Sequence, residues 1–407
     1  MTPRPNPAWL DARRALHAAF ENFCSPPDAS WLAHLGQPDT RFTTAGVRAM
    51  WEALPRTPGT FPAINHVYLH VPFCKSICHF CNYERLRPSH PDLMRRWKER
   101  VLDALAELAP ALEKHRFHSL YVGGGTPSTL PAAMLREVVG ALDETLDFHR
   151  HATRYFEMDP AVMNDAKMAA LKDLGFKHVS FGVQTLDATV NAAHDRGAQG
   201  RDLIAKRFAE LKDSDILYQS CDFLLGLAGT TPDGIFAEIE ELIDTHAPRW
   251  VDIYHLTPTD TYVDTHFGGD IDAFWAHIKP FQDVAAERLR GIAERTGYRL
   301  HLGDSHHHSL QTRKQGVLGN IEYREFSYSQ LTADQDRPLS LLGLGTSARS
   351  RIFGQGQVEF RDPGDDVGAD GPASWWGRRM SLTDETREYL IYRLRDHDHV
   401  DRAKFVA

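Results

Sequence analysis

From residue 65 onward the chain alternates short apolar runs with longer stretches of helical period. The runs at 66–73, 118–122, 154–159, 178–184, 218–225 and 250–256 are bounded by polar and glycine-containing segments and have the length of strands. Between them, over 92–115, 132–146, 165–174 and 232–246, apolar positions recur every three or four residues. Strand–helix alternation of this kind predicts a parallel sheet covered by helices, an α/β fold. Six units fall short of an eight-fold closed barrel, and the count fits an open (β/α)6 partial barrel of the TIM type. In such barrels the chemistry gathers at the carboxyl ends of the strands.

The flanks are less regular. Residues 8–23 predict an amphipathic helix, with Trp9, Leu10, Leu16, Phe20 and Phe23 near one face. Residues 24–63, rich in Pro, Gly and Thr, predict an irregular lead-in. The stretches 298–303 and 339–350 predict strands added beside the barrel, with a polar loop between them. Residues 361–374, rich in Asp, Gly and Pro, predict a flexible loop, and 381–396 a final helix carrying Leu390, Ile391 and Leu394. The expected division is an N-terminal helical lead-in at 1–64, the barrel at 65–297, and a short C-terminal α+β extension at 298–407 that completes the substrate cavity.

Composition changes this picture little. The 407 residues are 42% apolar, enough for a substantial core, and a formal charge of −9 argues against a nucleic-acid or anionic-membrane surface. No apolar run approaches the roughly 20 residues of a membrane span. The opening Met1-Thr2-Pro3-Arg4-Pro5-Asn6-Pro7 lacks an apolar signal core, so a cytoplasmic, reducing setting is expected. An odd cysteine count in a chain of this size argues against a disulfide framework.

Candidate chemistry concentrates where the first apolar run ends. Cys74, Cys78 and Cys81 make the segment C-K-S-I-C-H-F-C. Three thiolates so spaced can hold three corners of a [4Fe–4S] cube and leave the fourth iron open to an outside molecule. A zinc site needs a fourth ligand at matching spacing, and His79 is too tightly placed to close the same ring. Cys24 and Cys221 are isolated and read as ordinary thiols. After the second run comes Gly123-Gly124-Gly125-Thr126-Pro127-Ser128, where glycines let the backbone approach a ligand. By itself that segment is equally a tight turn or a phosphate cradle, although it lacks the Lys of a P-loop. Glu157 ends the third run and is either a ligand-binding carboxylate or a solvated strand-end acid. Gln184 closes the fourth, with an amide that both donates and accepts. Arg196 carries a planar fork suited to a carboxylate, its alternative being a surface salt bridge. Tyr68 and Phe80 are either ligand contacts or barrel-core aromatics.

The CxxxCxxC spacing after an apolar strand resembles the radical S-adenosylmethionine (SAM) superfamily. The wider Y-L-H-V-P-F-C-K-S-I-C-H-F-C resembles the branch that holds oxygen-independent coproporphyrinogen III oxidase, haem chaperones, and small-molecule methyltransferases and cyclopropanases. The resemblance runs from about residue 65 to 350, with a weaker match in the last helix. It implies the open six-unit barrel, a [4Fe–4S] cluster on Cys74, Cys78 and Cys81, and SAM chelating the open iron. It further implies that Gly124, Gly125 and Thr126 contact the methionyl amine, and that Arg196 pairs with the methionyl carboxylate. Glu157, Gln184 and Asp222, the last in D-F-L-L-G-L, are implied to contact SAM, with Asp222 at the ribose. Tyr68 and Phe80 are implied to pack against it. Some members bind a second SAM, for which Phe80, Gly125, Thr126, Gln184, residues 254–258 and residues 342–347 are the expected walls. An electron donor such as flavodoxin or ferredoxin, and a small-molecule substrate, are implied partners.

Departures from the branch bear on the reaction. Coproporphyrinogen oxidases carry an extra Cys just after the three ligands, where this chain has Asn82-Tyr83-Glu84. Haem chaperones carry a late H-N-x-x-Y-W segment, absent from 320–326. Asp304-Ser305-His306-His307-His308 reads as a polar loop with spare histidines, or as a second metal or haem site. The expectation is a radical enzyme that methylates or cyclopropanates a small molecule with two SAM molecules. The alternatives are a coproporphyrinogen oxidase-like dehydrogenase or haem-ring-opening enzyme, and, outside catalysis, a haem-binding chaperone.

Overall fold

The computed structural model describes residues 40–54, 64–197, 199–214, 216, 218–302, 307–312, 339–382 and 384–385. The expected helix at 8–23, Cys24, and nearly all of the expected final helix lie outside them.

The apolar runs form strands for the expected reason: each is buried on both faces, as a parallel strand under helices must be. They are β2 (Ile64–Val71), β3 (Arg116–Gly124), β4 (Asp147–Met158), β5 (His178–Gln184), β6 (Tyr218–Leu225) and β7 (Trp250–His255). All five neighbouring pairs are parallel and in chain order. The helix Pro91–Leu112 shows the packing logic. Trp97, Val101, Ala104, Leu105, Leu108 and Leu112 recur on one face and are all buried against the sheet. Each such Leu or Val contributes roughly 1.5–3 kcal/mol of burial. The helix Pro232–His246 starts with Pro at its first position and Thr231 capping the Gly234 amide at 3.2 Å.

The flanks extend this sheet at both sides. β8 (Arg299–Leu302) and β9 (His307–Gln311) add antiparallel strands beyond β7. On the other side β10 (Leu339–Leu344) pairs with β2 in parallel, from Leu339↔Ile64 to Leu344↔Leu69. β11 (Arg349–Ile352), β12 (Gly356–Arg361), β13 (Ser374–Arg379) and a short β1 (Thr40–Phe42) follow, each antiparallel to its neighbour. Among the described residues, the thirteen strands make one linear, unclosed sheet. Its parallel part has one strand more than the six read from the repeat, because β10 returns from the C-terminal segment. The inner face is filled by aromatic rings on successive strands. Tyr68, Tyr121, Tyr155, His178 and Tyr218 follow one another at 5.9, 5.8, 4.3 and 4.3 Å between centroids.

Three expectations are corrected. The lead-in is not wholly irregular: Thr44–Glu52 is a helix, capped by the Thr43 hydroxyl on the Gly46 amide, and buries Val47, Met50 and Trp51. His307 and His308 lie in a strand rather than a polar loop, because β9 pairs with both β7 and β8. Residues 361–374 are not a loose loop. Arg100, buried in the helix Pro91–Leu112, pairs with Asp362 and donates to the Ala369 carbonyl at 2.7 Å. Among the described residues no helix is long and apolar enough to cross a membrane.

Candidate active site

A cavity of about 380 Å³ opens at the carboxyl ends of the parallel strands. All twelve residues singled out from the sequence line it: Cys74, Cys78, Cys81, Tyr68, Phe80, Gly124, Gly125, Thr126, Glu157, Gln184, Arg196 and Asp222. The cysteine loop leaves β2 after Val71 and is fixed by two backbone bonds to a facing segment, Cys74 N to Leu86 O at 2.9 Å and Leu86 N to Pro72 O at 2.7 Å. The glycine turn packs directly on this loop. A side chain at Gly125 would stand 2.9 Å from the Pro72 carbonyl carbon and 3.0 Å from Cys74 Sγ. At Gly124, whose φ is +116°, it would strike the His70 ring at 2.7 Å.

Cys74 and Cys78 are buried and Cys81 is half-buried; burial pushes Cys74 up to about 11 and also raises Cys78. Thr126 Oγ1 lies 3.3 Å from Cys74 Sγ, and Arg196 Nη1 donates to Cys78 Sγ at 3.8 Å. Both contacts favour the thiolate. Cys221, by contrast, is fully buried among core side chains on the outer face of β6 and does not line the cavity.

Charged groups face one another across the cavity. Burial disfavours the charge of Arg196, but Asp159, Cys78 and Asp222 together raise its pKa. Its Nη2 donates to the Gly182 carbonyl at 2.7 Å, while its Nε is buried with no hydrogen-bond partner. Glu157 accepts from the Tyr121 hydroxyl and from the Gly124 amide at 3.1 Å, yet burial raises it above the usual carboxylate range. Asp222 is pushed well up by burial, then by Asp252 and Glu157. Gln184 closes β5 with φ +65°, beside a register shift between β5 and β6. This bulge turns its side chain over Gly182, where an added Cβ would meet Gln184 Nε2 at 2.3 Å.

The model of the radical SAM superfamily matches residues 68–246. These residues form a radical SAM domain. The chain is 30% identical over 212 residues to oxygen-independent coproporphyrinogen III oxidase of Paracoccus denitrificans, covering 49% of this chain and 47% of that protein. With the Escherichia coli protein of that name it shares 23% over 356 residues, 85% of this chain and 74% of the other. With a haem chaperone of Lactococcus lactis it shares 26% over 200 residues, 48% and 50%. Two of these three matches therefore span about half of the relative's length. The solved E. coli coproporphyrinogen III oxidase has the same fold, with a TM-score of 0.70 at 19% identity over 88% of this chain and 81% of that one.

A radical SAM domain implies a [4Fe–4S] cluster and SAM. The residues present fit both. Three free thiols open on one cavity without converging on a single-ion site among the described residues, an arrangement suited to a cube that takes one thiolate at each of three irons. The unpartnered Arg196 Nε fits a carboxylate, and two carboxylates with raised pKa values fit a ligand bearing positive charge and hydroxyls.

Sequence reasoning did not assign Asn82, Arg85, Asp159 or Leu224 to the cavity wall; Leu224 lies in D-F-L-L-G-L, but only its strand position turns it inward. Tyr254 and Thr257 of the proposed second-SAM wall do line it. The segment 342–347 does not, which corrects that part of the expectation. Thr346 is buried and donates to Asp362 at 2.7 Å, facing the Arg100 pair instead.

Proposed function

We propose that the protein is a radical SAM enzyme that abstracts hydrogen from a small organic substrate, with an oxidative outcome of the coproporphyrinogen oxidase type. The observation that carries this reading is the convergence of three thiols, one guanidinium, two carboxylates and a glycine turn on one cavity. Cys74, Cys78 and Cys81 each take one iron. Arg196 binds the methionyl carboxylate through its fork, and Gly124, Gly125 and Thr126 receive the methionyl amine. Glu157 and Asp222 accept from the hydroxyls of the ribose, Gln184 holds the bound nucleoside, and Tyr68 and Phe80 wall it. When bound, the reduced cluster supplies the electron that cleaves SAM to methionine and a 5′-deoxyadenosyl radical. A small one-electron carrier such as flavodoxin or ferredoxin is the proposed donor. Likeness to coproporphyrinogen III oxidases along 85% of the chain supports the oxidative outcome.

A second reading, radical methylation or cyclopropanation with two SAM molecules, draws support from one observation. The cavity wall also includes Tyr254, His255 and Thr257 at the end of β7, in addition to the residues assigned to the first SAM.

Anaerobic reconstitution tests the first step. The wild-type protein is expected to hold about four irons, and Cys74→Ala, Cys78→Ala or Cys81→Ala to lose them, with Cys221→Ala unaffected. Uptake of one zinc and no iron would sink the reading. SAM labelled in its methyl group separates the two reactions. Labelled product with S-adenosylhomocysteine supports methyl transfer, and 5′-deoxyadenosine without S-adenosylhomocysteine supports oxidation. Arg196→Ala and Glu157→Ala are expected to weaken SAM binding by roughly ten- to a hundredfold, the loss of a charge-assisted hydrogen bond of about 1.5–3 kcal/mol, with iron content unchanged.

A further inference from the structure

His79 stands between Cys78 and Cys81, and every polar group of its backbone and Nδ1 of its ring are engaged from outside the loop. Its amide donates to the His194 carbonyl at 3.3 Å. Its carbonyl accepts from the Thr259 hydroxyl at 3.0 Å. Its Nδ1 lies 3.2 Å from Nε2 of His266, on the helix Asp260–Phe267. His266 in turn is stacked on His194, with centroids 4.4 Å apart and planes at 20°, and packs on Tyr262 at 4.5 Å.

The hydrogen bonds behind this stack have a determined direction. A carbonyl only accepts, so His194 Nδ1 donates to the Val190 carbonyl at 2.7 Å. The neutral ring then accepts at Nε2 from the Tyr262 hydroxyl at 3.0 Å, and that hydroxyl accepts from the Ala228 amide at 2.7 Å. His194 is fully buried. It is therefore a fixed post, and His266 bridges from it to the cysteine loop. Arg196 follows His194 by two residues and touches Cys78, so the same post sets the guanidinium against the thiol.

We propose that His266 is a positioning residue: through its bond to His79 and its stack on His194, it clasps the Cys78–Cys81 loop against the turn that carries Arg196. Residues far from the thiols in sequence thus hold the ligand spacing before any cluster binds, as supporting groups do around metal ligands generally. The cluster's presence rests on the proposed function, but the clasp itself is a property of the protein alone.

Two variants separate the hydrogen bond from the stacking. His266→Phe keeps a ring on His194 and loses the bond, whereas His266→Gln keeps a nitrogen able to reach His79. In the reconstituted protein, iron release to a chelator is expected to be roughly three- to tenfold faster in His266→Phe, the range of one lost hydrogen bond, and near the wild-type rate in His266→Gln. In cluster-free protein, alkylation of Cys78 and Cys81 by iodoacetamide is expected to be faster in His266→Phe, with Cys221 protected in every variant as the check on folding. Equal alkylation of wild type and His266→Phe would overturn the clasp, as would a Gln variant as loose as the Phe variant. A wild-type protein that shows the alkylation pattern but never holds iron would overturn the proposed function and leave the clasp standing.

Discussion

Asp222 faces Asp252 across the β6–β7 ladder, and its ionisation is opposed by burial and by two neighbouring acids. An unfolded Asp ionises near pH 4. The folded group holds its proton to higher pH, so between the two values the native state binds more protons than the unfolded one. Stability is then fully present below about pH 4 and is lost as pH rises through the folded value. Asp222→Asn is expected to raise the melting temperature of the cluster-free protein at pH 7 while weakening SAM binding. Calorimetric titration alongside thermal melting checks both, and a variant that binds SAM normally would remove Asp222 from the site. Asp222, Glu157 and Arg196 were legible in the sequence because each stands in a short recognisable segment, Glu157 near the end of β4, Asp222 within β6 and Arg196 in the turn after the helix Ala188–Ala193. The pairing of His79 with His266 was not, since 187 positions separate them and only folding makes them neighbours.

Elements were legible where their periodicity was long and uniform. The strand His178–Gln184 and the helix Pro232–His246 were read to the residue, because both are apolar on the faces they bury. The first part of β4, Asp147 to Thr153, was missed: D-F-H-R-H-A-T is polar and only half-buried, and its pairing with β3 decides its state. The helix Thr44–Glu52 was missed because it lies within a stretch rich in Pro, Gly and Thr, whose composition outweighed its own short period. Two glycines test how these elements shape the site. An added methyl at Gly182 meets only the ends of Gln184 and Arg196, at 2.3 and 2.7 Å. Gly182→Ala is expected to keep its melting temperature and lose SAM affinity about tenfold. At Gly343 the methyl would stand 2.2 Å from the Arg349 carbonyl oxygen, where backbone must move to make room. Gly343→Ala is expected to cost about 1–3 kcal/mol of stability, read by denaturant unfolding. A Gly182→Ala protein that melts early, or a Gly343→Ala protein that does not, would show that these contacts are misassigned.

Across the whole molecule, buried imidazoles set the acid limit. Burial pushes His66 and His178 down to about 3 and His70 to about 4, with His118 adding to the effect at His66 and Arg249 at His178. Unfolded histidines titrate near 6.5. The unfolded chain therefore takes up protons first, and stability present above about pH 6.5 is lost as pH falls toward 3–4. Melting temperature is expected to fall steadily between pH 7 and pH 5. His178→Phe keeps the stack between Tyr155 and Tyr218 and should flatten that decline, whereas an unchanged slope would exclude His178 as a contributor. The order of the sheet has a further consequence, in time rather than in space. β2, which delivers the thiols, takes its second neighbour from a strand about 275 residues later in the chain. At synthesis rates of roughly 5–20 residues per second, that edge stays open for roughly 15–55 s after β2 leaves the ribosome. Gly345, just past β10, then closes against the His70 carbonyl at the end of β2. The nascent protein thus carries an unpaired strand edge beside its most reactive side chains until β10 has been made, and nascent chains ending before residue 339 are expected to retain less iron than chains that include β10.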